Sequence, residues 1–212
     1  MSKNKFLDLI KEQRSKKTKE KFKGSFLDYL SLIEDNPEAC DLSHRRLYKS
    51  IIKEGSNKIE ESDPRYTSFF EKENIEVFNY FSDVFFGNEK VISRFMRYLK
   101  SASSKGEESR QVLLLMGPVG AGKSALVDHI KRSMESRSIY TIEGCPINEE
   151  PLHLLPRGLR DKFEKMLGVK IEGDLCPICR HRLMVDYKGE YEKFNVVEKS
   201  ISIRGRTGIA VV

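Results

Sequence analysis

Val112-Leu113-Leu114-Leu115-Met116-Gly117-Pro118-Val119-Gly120-Ala121-Gly122-Lys123-Ser124 decides the fold of this 212-residue chain. Its last eight residues fit G-x-x-x-x-G-K-S/T, the phosphate-binding P-loop, at each defined position. Glycines let the backbone curl until successive N–H groups face phosphate oxygens. Lys123 would bring a point charge to the β- and γ-phosphates, and the Ser124 hydroxyl would hold Mg²⁺. A helix starting here adds its positive end to the same site.

The flanks support that reading. Val112–Met116 is a short apolar run ending at the loop, the pattern of a buried parallel strand. After the loop, Leu126, Ile130 and Met134 recur at i, i+4, i+8, with Ala125 and Val127 beside them, which predicts a helix with an apolar stripe. Strand, Gly-rich turn and helix together predict a nucleotide site at Gly117, Gly120, Ala121, Gly122, Lys123, Ser124 and Ala125, with Mg²⁺ on Ser124. The plain alternative is a Gly-rich turn.

Further out, Ser138–Glu143 reads as a second strand, stopped by Gly144-Cys145-Pro146. Arg157–Leu167, with Leu159, Phe163, Met166 and Leu167 periodic, predicts a helix ending at Gly168. From Val169 on, β-prone pieces alternate with Gly and Pro, more like an inserted hairpin region than another βα unit. Upstream, Phe26, Tyr29, Leu30 and Ile33 are helically spaced before the break at Asn36-Pro37, and a second helix covers Leu42 to Ile52. Residues 66–86 are rich in Phe and Tyr, the mark of core or domain packing. Val91, Ile92, Phe95, Met96 and Leu99 predict another helix, and Ser101–Arg110 a surface loop. The expected division is a basic helix or tail over 1–24, a helical region over 25–100, a loop over 101–110 and the nucleotide-binding core over 111–212.

The net charge of +6 is uneven: residues 1–24 hold nine Lys/Arg against three Asp/Glu, which leaves 29 of each sign in the remainder. The basic segment reads either as an electrostatic foot for an acidic partner or as a solvated, frayed helix. No helix-turn-helix, zinc-finger array or RNP pattern points to nucleic acid. Apolar runs reach about five residues, far below the ~20 that span a bilayer, and the charges of Met1-Ser2-Lys3-Asn4-Lys5 precede no secretory apolar segment. Four cysteines do not make a disulfide scaffold at this size, so a reducing cytoplasm is expected.

Several longer strings carry a family resemblance. They are Gly24–Leu30 with Asn36-Pro37, Ser43–Tyr48, Phe85-Phe86-Gly87, Leu113–Ser124, Gly144–Ile147, Glu149–Pro156, Leu159-Arg160, Glu172–Arg180 and Arg206–Ile209. From about residue 22 onward the chain resembles the N-terminal part of the PrkA family, bacterial proteins named as serine protein kinases and built on an AAA+ ATPase domain. The resemblance implies an α/β fold: a P-loop NTPase, AAA+-like three-layer core, preceded by an α-helical N-terminal region. Asn148 stands where the family usually has His, and Ala210 where Gly is usual. The chain stops at Val211-Val212, inside the resemblance, so a fragment with an incomplete core is expected. The resemblance also implies an ATP site, ring-forming homo-oligomers and a protein substrate whose identity it does not give.

Hydrolysis needs, besides the P-loop, an acid at the end of an apolar strand to hold Mg²⁺ and position water. Asp186 after Leu183-Met184-Val185 is the candidate, with a turn residue as its alternative, and the resemblance places the family's own acidic strand beyond residue 212. The expectation is ATP binding with little turnover by this chain. Kinase signatures H-R-D and D-F-G are absent, His44-Arg45-Arg46 lacking the acid, and no Ser–His–Asp or H-E-x-x-H constellation supports a protease site. Remodelling or proteolysis of proteins, and a scaffold that binds nucleotide without turnover, are the competing functions.

Cys176-Pro177-Ile178-Cys179 has metal-knuckle spacing but supplies only two zinc ligands; Cys145, His153 and His181 are candidates to complete the set. A redox pair and reduced structural cysteines are the alternatives. Glu149, Glu150 and His153 suit either acid–base work or loop packing, and Phe85, Phe86 and Gly87 either an adenine pocket or the core.

Overall fold

A computed structural model describes residues 21–60, 62, 75–104, 106–135, 137–204 and 208–211, with side chains as far as residue 202. The expected basic helix or tail lies outside the described residues except for its last four positions, and there Lys23 and Gly24 belong to a strand.

The chain divides into two compact units. One takes residues up to Cys40 together with Arg137–Ile201; the other is built on residues 41–136.

The first unit opens with strand β1 (Lys23–Ser25) running into helix α1 (Phe26–Asp35). Ser25 caps that helix: its hydroxyl accepts from Asp28 N–H at 3.2 Å, and Asp28 Oδ2 accepts from Ser25 N–H at 2.7 Å. This reciprocal pair satisfies two amides that the helix itself cannot. Phe26, Tyr29 and Ile33 form the buried face of α1. Strand β4 (Ser138–Ile142), helix α6 (Arg157–Leu167), short helix α7 (Pro177–His181) and strand β5 (Asn195–Arg204) complete the unit's main elements; the α numbers between belong to the second unit. β5 is central and pairs antiparallel with both neighbours, so that Val196 stands opposite Gly24 on one side and Ile142 on the other. β6 (Gly208–Val211) also pairs with β5. The core gathers Phe26, Tyr29, Ile142, Leu154, Phe194 and Val196.

The second unit holds helix α2 (Ser43–Ile52), a ribbon of β2 (Ser56–Lys58) and β3 (Glu76–Phe78), the short helix α3 (Asn79–Ser82), the long helix α4 (Glu89–Ser103) and the P-loop helix α5 (Lys123–Ser133). Ile92, Phe95, Met96, Leu99 and Ala102 make the buried stripe of α4 and pack with Ile51, Phe81 and Leu126. Each of the large side chains contributes about 1.5–3 kcal/mol by leaving water. The stretch expected as a loop from Ser101 is helical to Ser103 and forms a 3₁₀ turn over Glu107–Arg110.

Two expectations fail. Val112–Met116 is not a strand: it forms no regular element, and no described strand pairs with it. Val112, Leu114 and Met116 are 93, 74 and 84 % exposed, while Leu113 and Leu115 line a groove of about 260 Å³ with Leu47, Phe95, Leu126 and Ile130. The alternation is that of a strand with one face on a helix layer. What it lacks is a neighbour for its backbone groups, and sheet pairing is a property of two segments rather than one. The parallel βαβ arrangement around the P-loop is therefore not formed among the described residues, and the β4–β5 pairing is antiparallel. The β pairing expected after Val169 is present between β5 and β6, but α7 and a π-helical turn over Arg182–Asp186 precede it.

Candidate functional site: the P-loop and the acid–cysteine cluster

The P-loop is built as its sequence requires. Gly120 and Gly122 have φ of +84° and +76°, a region that side chains with a Cβ avoid, and nothing stands within 4 Å of where a Cβ would be. The loop turns through a bond from Ala121 N–H to Pro118 O at 3.3 Å. Gly122 then starts α5, its carbonyl accepting from Leu126 N–H at 2.9 Å. The first amides of a helix have no partner inside it, and those of Lys123, Ser124 and Ala125 belong to that first turn. Lys131 and Arg132 occupy the last turn, where cations complement the helix dipole. Lys123 Nζ donates to Gly117 O at 2.8 Å and Pro118 O at 2.6 Å, so the ammonium rests against the loop's own carbonyls. Ser124 and Ala125 are exposed at the mouth of the helix.

The open space beside Gly120 and Gly122 and the amide-lined start of α5 fit a phosphate chain with its Mg²⁺. None of the described strands ends in the acid expected for hydrolysis. Asp186 closes the π-helical turn instead of ending a strand. In the unit that carries the P-loop, β2 and β3 end in Lys58 and Phe78, neither of them acidic. Phe85 is buried in the core with its ring 5.6 Å from that of His129, whereas Phe86 is 78 % exposed.

In the first unit, the residues that looked like acid–base groups are fasteners. Glu149 is buried; its Oε2 accepts from Cys176 N–H and its Oε1 meets His153 Nδ1, both at 2.6 Å. His153 Nε2 meets Glu172 O at 2.5 Å, so both ring nitrogens are engaged. Glu150 Oε1 accepts from the Tyr29 hydroxyl at 2.7 Å. Asn148 has φ of +54°, and its Oδ1 accepts from Lys199 Nζ at 2.6 Å.

Cys176 and Cys179 are buried at α7, and Cys145 from the turn after β4 joins them. Among the three completing candidates, the structure brings in Cys145; His153 is committed to Glu149 and Glu172, and His181 is exposed at the end of α7. Burial pushes the Cys176 and Cys179 thiols up. For Cys145, burial is outweighed by the backbone N–H groups of Glu149 and Ile147, which draw its thiol below the ordinary value. Cys145 had only a turn position to announce it; its pairing with the knuckle depends on a fold contact 31 residues long.

A family model described as "PrkA AAA domain" matches residues 24–212. The chain is 36 % identical over 211 residues to the "ATP-dependent protease PrkA" of Bacillus subtilis (strain 168), covering 96 % of this chain and 31 % of that protein. It is 32 % identical over 155 residues to the "Serine/threonine kinase YeaG" of Escherichia coli (strain K12), covering 70 % of this chain and 24 % of that one. The chain thus spans less than a third of the length of these curated relatives. No solved structure matches.

Proposed function

The chain belongs to the PrkA family through its AAA domain, and from that premise we propose that it is the MgATP-binding module of a PrkA-like ATPase or serine protein kinase. The observation that carries the reading is the P-loop geometry: two glycines at positive φ, open space beside them and a helix start at Lys123. In this reading the amides of Gly120–Ala125 take the β- and γ-phosphates, Lys123 turns from Gly117 O and Pro118 O toward them, and Ser124 holds Mg²⁺. Bound ATP supplies the phosphoryl group for whatever transfer or coupled work the whole protein performs.

The relatives' printed names differ, one an ATP-dependent protease and the other a kinase, and ATP is what both need. With Asp186 on a helical turn and no acid ending β2 or β3, turnover by this chain alone is weak. The exposed alternate face of Val112–Met116 supports an incomplete sheet whose further strands are not among the described residues. No helix among the described residues is long and apolar enough to cross a membrane. Zinc at Cys176 and Cys179 is a second cofactor of this reading, independent of nucleotide.

Isothermal titration with MgATP tests the nucleotide site. Wild type gives saturable heat and Lys123→Ala gives none; equal heats from both proteins, each shown to be folded by circular dichroism, overturn the reading.

A further inference from the structure

Three cysteines from two separate segments converge in the interior of the first unit. Cys145 follows β4, Cys176 is the residue before α7, and Cys179 lies within α7. Their sulfurs all lie within 4.8 Å of one another, and the Cys145 and Cys176 sulfurs are 3.8 Å apart. Tetrahedral zinc with bonds of ~2.3 Å sets its sulfurs about 3.8 Å apart. A disulfide needs ~2.05 Å and would leave the third sulfur over, and Cys145, Cys176 and Cys179 form none.

The backbone is also arranged around sulfur. Glu149 N–H donates to Cys145 Sγ at 3.4 Å and Cys179 N–H to Cys176 Sγ at 3.3 Å. Glu149 acts a second time, its Oε2 fixing the Cys176 amide at 2.6 Å, so one buried residue orients both segments. Cysteines serving only as small apolar core residues would need neither the convergence of three sulfurs nor amides aimed at two of them.

We propose that Cys145, Cys176 and Cys179 together form a three-thiolate zinc site. This rests on the two-cysteine zinc reading above and extends it by naming the third ligand. Thiolate sulfur selects soft or borderline cations such as zinc over magnesium or calcium. On binding, three S–H protons pass to solvent and three Zn–S bonds form, which leaves a net charge of −1. Arg182, electrostatically coupled to Cys179 and hydrogen-bonded to Glu143 O at 2.9 Å, is the nearby cation that balances it. Among the described residues no fourth His, Cys, Asp or Glu lies within the same 4.8 Å grouping, and the nearest further carboxylate is that of Glu149, which acts on the Cys176 thiol. Cys40 is not a ligand; its thiol donates to Pro37 O. The ion ties the β4 turn to α7, two segments that otherwise meet through Glu149, the Arg182 bond to Glu143 O and side-chain packing.

The test is metal analysis of the chain purified without a His tag from zinc-supplemented medium. One zinc per chain is expected in wild type and in Cys40→Ser, and a loss of at least tenfold in Cys145→Ser, Cys176→Ser and Cys179→Ser. Zinc lost only from the Cys176 and Cys179 variants leaves the two-cysteine reading standing and overturns this extension. Wild type that neither carries zinc nor takes it up from added zinc salt overturns both. Because a variant can fail to fold, wild type is also loaded with cobalt(II). Sulfur-to-cobalt absorption of three-thiolate intensity supports the site, and two-thiolate intensity contradicts it.

Discussion

Tyr80 and His129 hold one another twice. The Tyr80 hydroxyl donates to His129 O at 2.7 Å, and His129 Nε2–H donates to Tyr80 O at 2.8 Å, with the rings 4.4 Å apart. His129 lies on α5, the helix that begins at the P-loop, and Tyr80 on α3 beside Phe81 and Phe85. The pair thus anchors the middle of α5 to the aromatic core. Tyr80→Phe removes one bond and leaves the ring. The expected cost is about 1 kcal/mol in urea unfolding, with unchanged slope, and a weaker MgATP affinity because the helix start is less firmly held. An unchanged midpoint contradicts the anchoring role.

Gly122 supplies the left-handed residue from which α5 starts, and space is open where a Cβ would stand. Gly122→Ala therefore meets backbone strain without a clash, worth about 1–2 kcal/mol. Relief of that strain shifts the amides proposed to face the phosphates, so MgATP binding falls by more than the stability loss alone accounts for. Calorimetric titration beside thermal unfolding separates the two effects.

Glu143 joins β1 to the turn after β4. Lys23 Nζ reaches its Oε1 at 2.5 Å and Asn195 Nδ2 its Oε2 at 3.0 Å. The Lys23 bond, then the Asn195 bond, hold this carboxyl below its ordinary value. Its folded pKa is below its unfolded one, so the stabilisation is present above the unfolded value and is lost as pH falls through the folded value. Lys23→Met therefore lowers stability at neutral pH, by a small amount since the group is near the surface, and the difference from wild type fades as pH falls through the folded value. Urea unfolding of both proteins at neutral and at acid pH checks this, and a difference that grows toward acid contradicts it.

Leu114 and Met116 point away from the α2–α4–α5 layer and are largely exposed. Leu114→Ser with Met116→Ser should change the stability of this chain by less than about 0.5 kcal/mol per site. The same pair should lower the binding of a hydrophobic dye, since exposed apolar strands attract such probes. A core-sized loss of stability contradicts the exposed placement.

How much of this was legible in the residues differs by element. The P-loop was, because its glycines and lysine act locally: positive φ, helix start and charge all lie within eight residues. Helix α6 and strand β4 were legible for a similar reason, apolar period and a stop signal at Gly168 or Gly144. Val112–Met116 was read as a buried strand because its composition says so, yet burial and pairing depend on partners elsewhere in the chain. The cysteine cluster was half legible. Cys176 and Cys179 announce themselves by spacing, while Cys145 was one of three candidates until the fold placed its sulfur beside theirs. Glu149 and His153 had the right chemistry for catalysis, and only their engaged hydrogen bonds reveal that they hold the loop together.

The central claim is that Gly117–Ser124 binds MgATP, and thermal unfolding at increasing MgATP tests it most directly. A ligand bound only by the folded state adds about 2.7 kcal/mol at a hundredfold excess over its dissociation constant. The midpoint climbs with MgATP in wild type, climbs less when Mg²⁺ is chelated, and does not move in Lys123→Ala. A wild-type midpoint that stays flat, or one that climbs equally in Lys123→Ala, contradicts it.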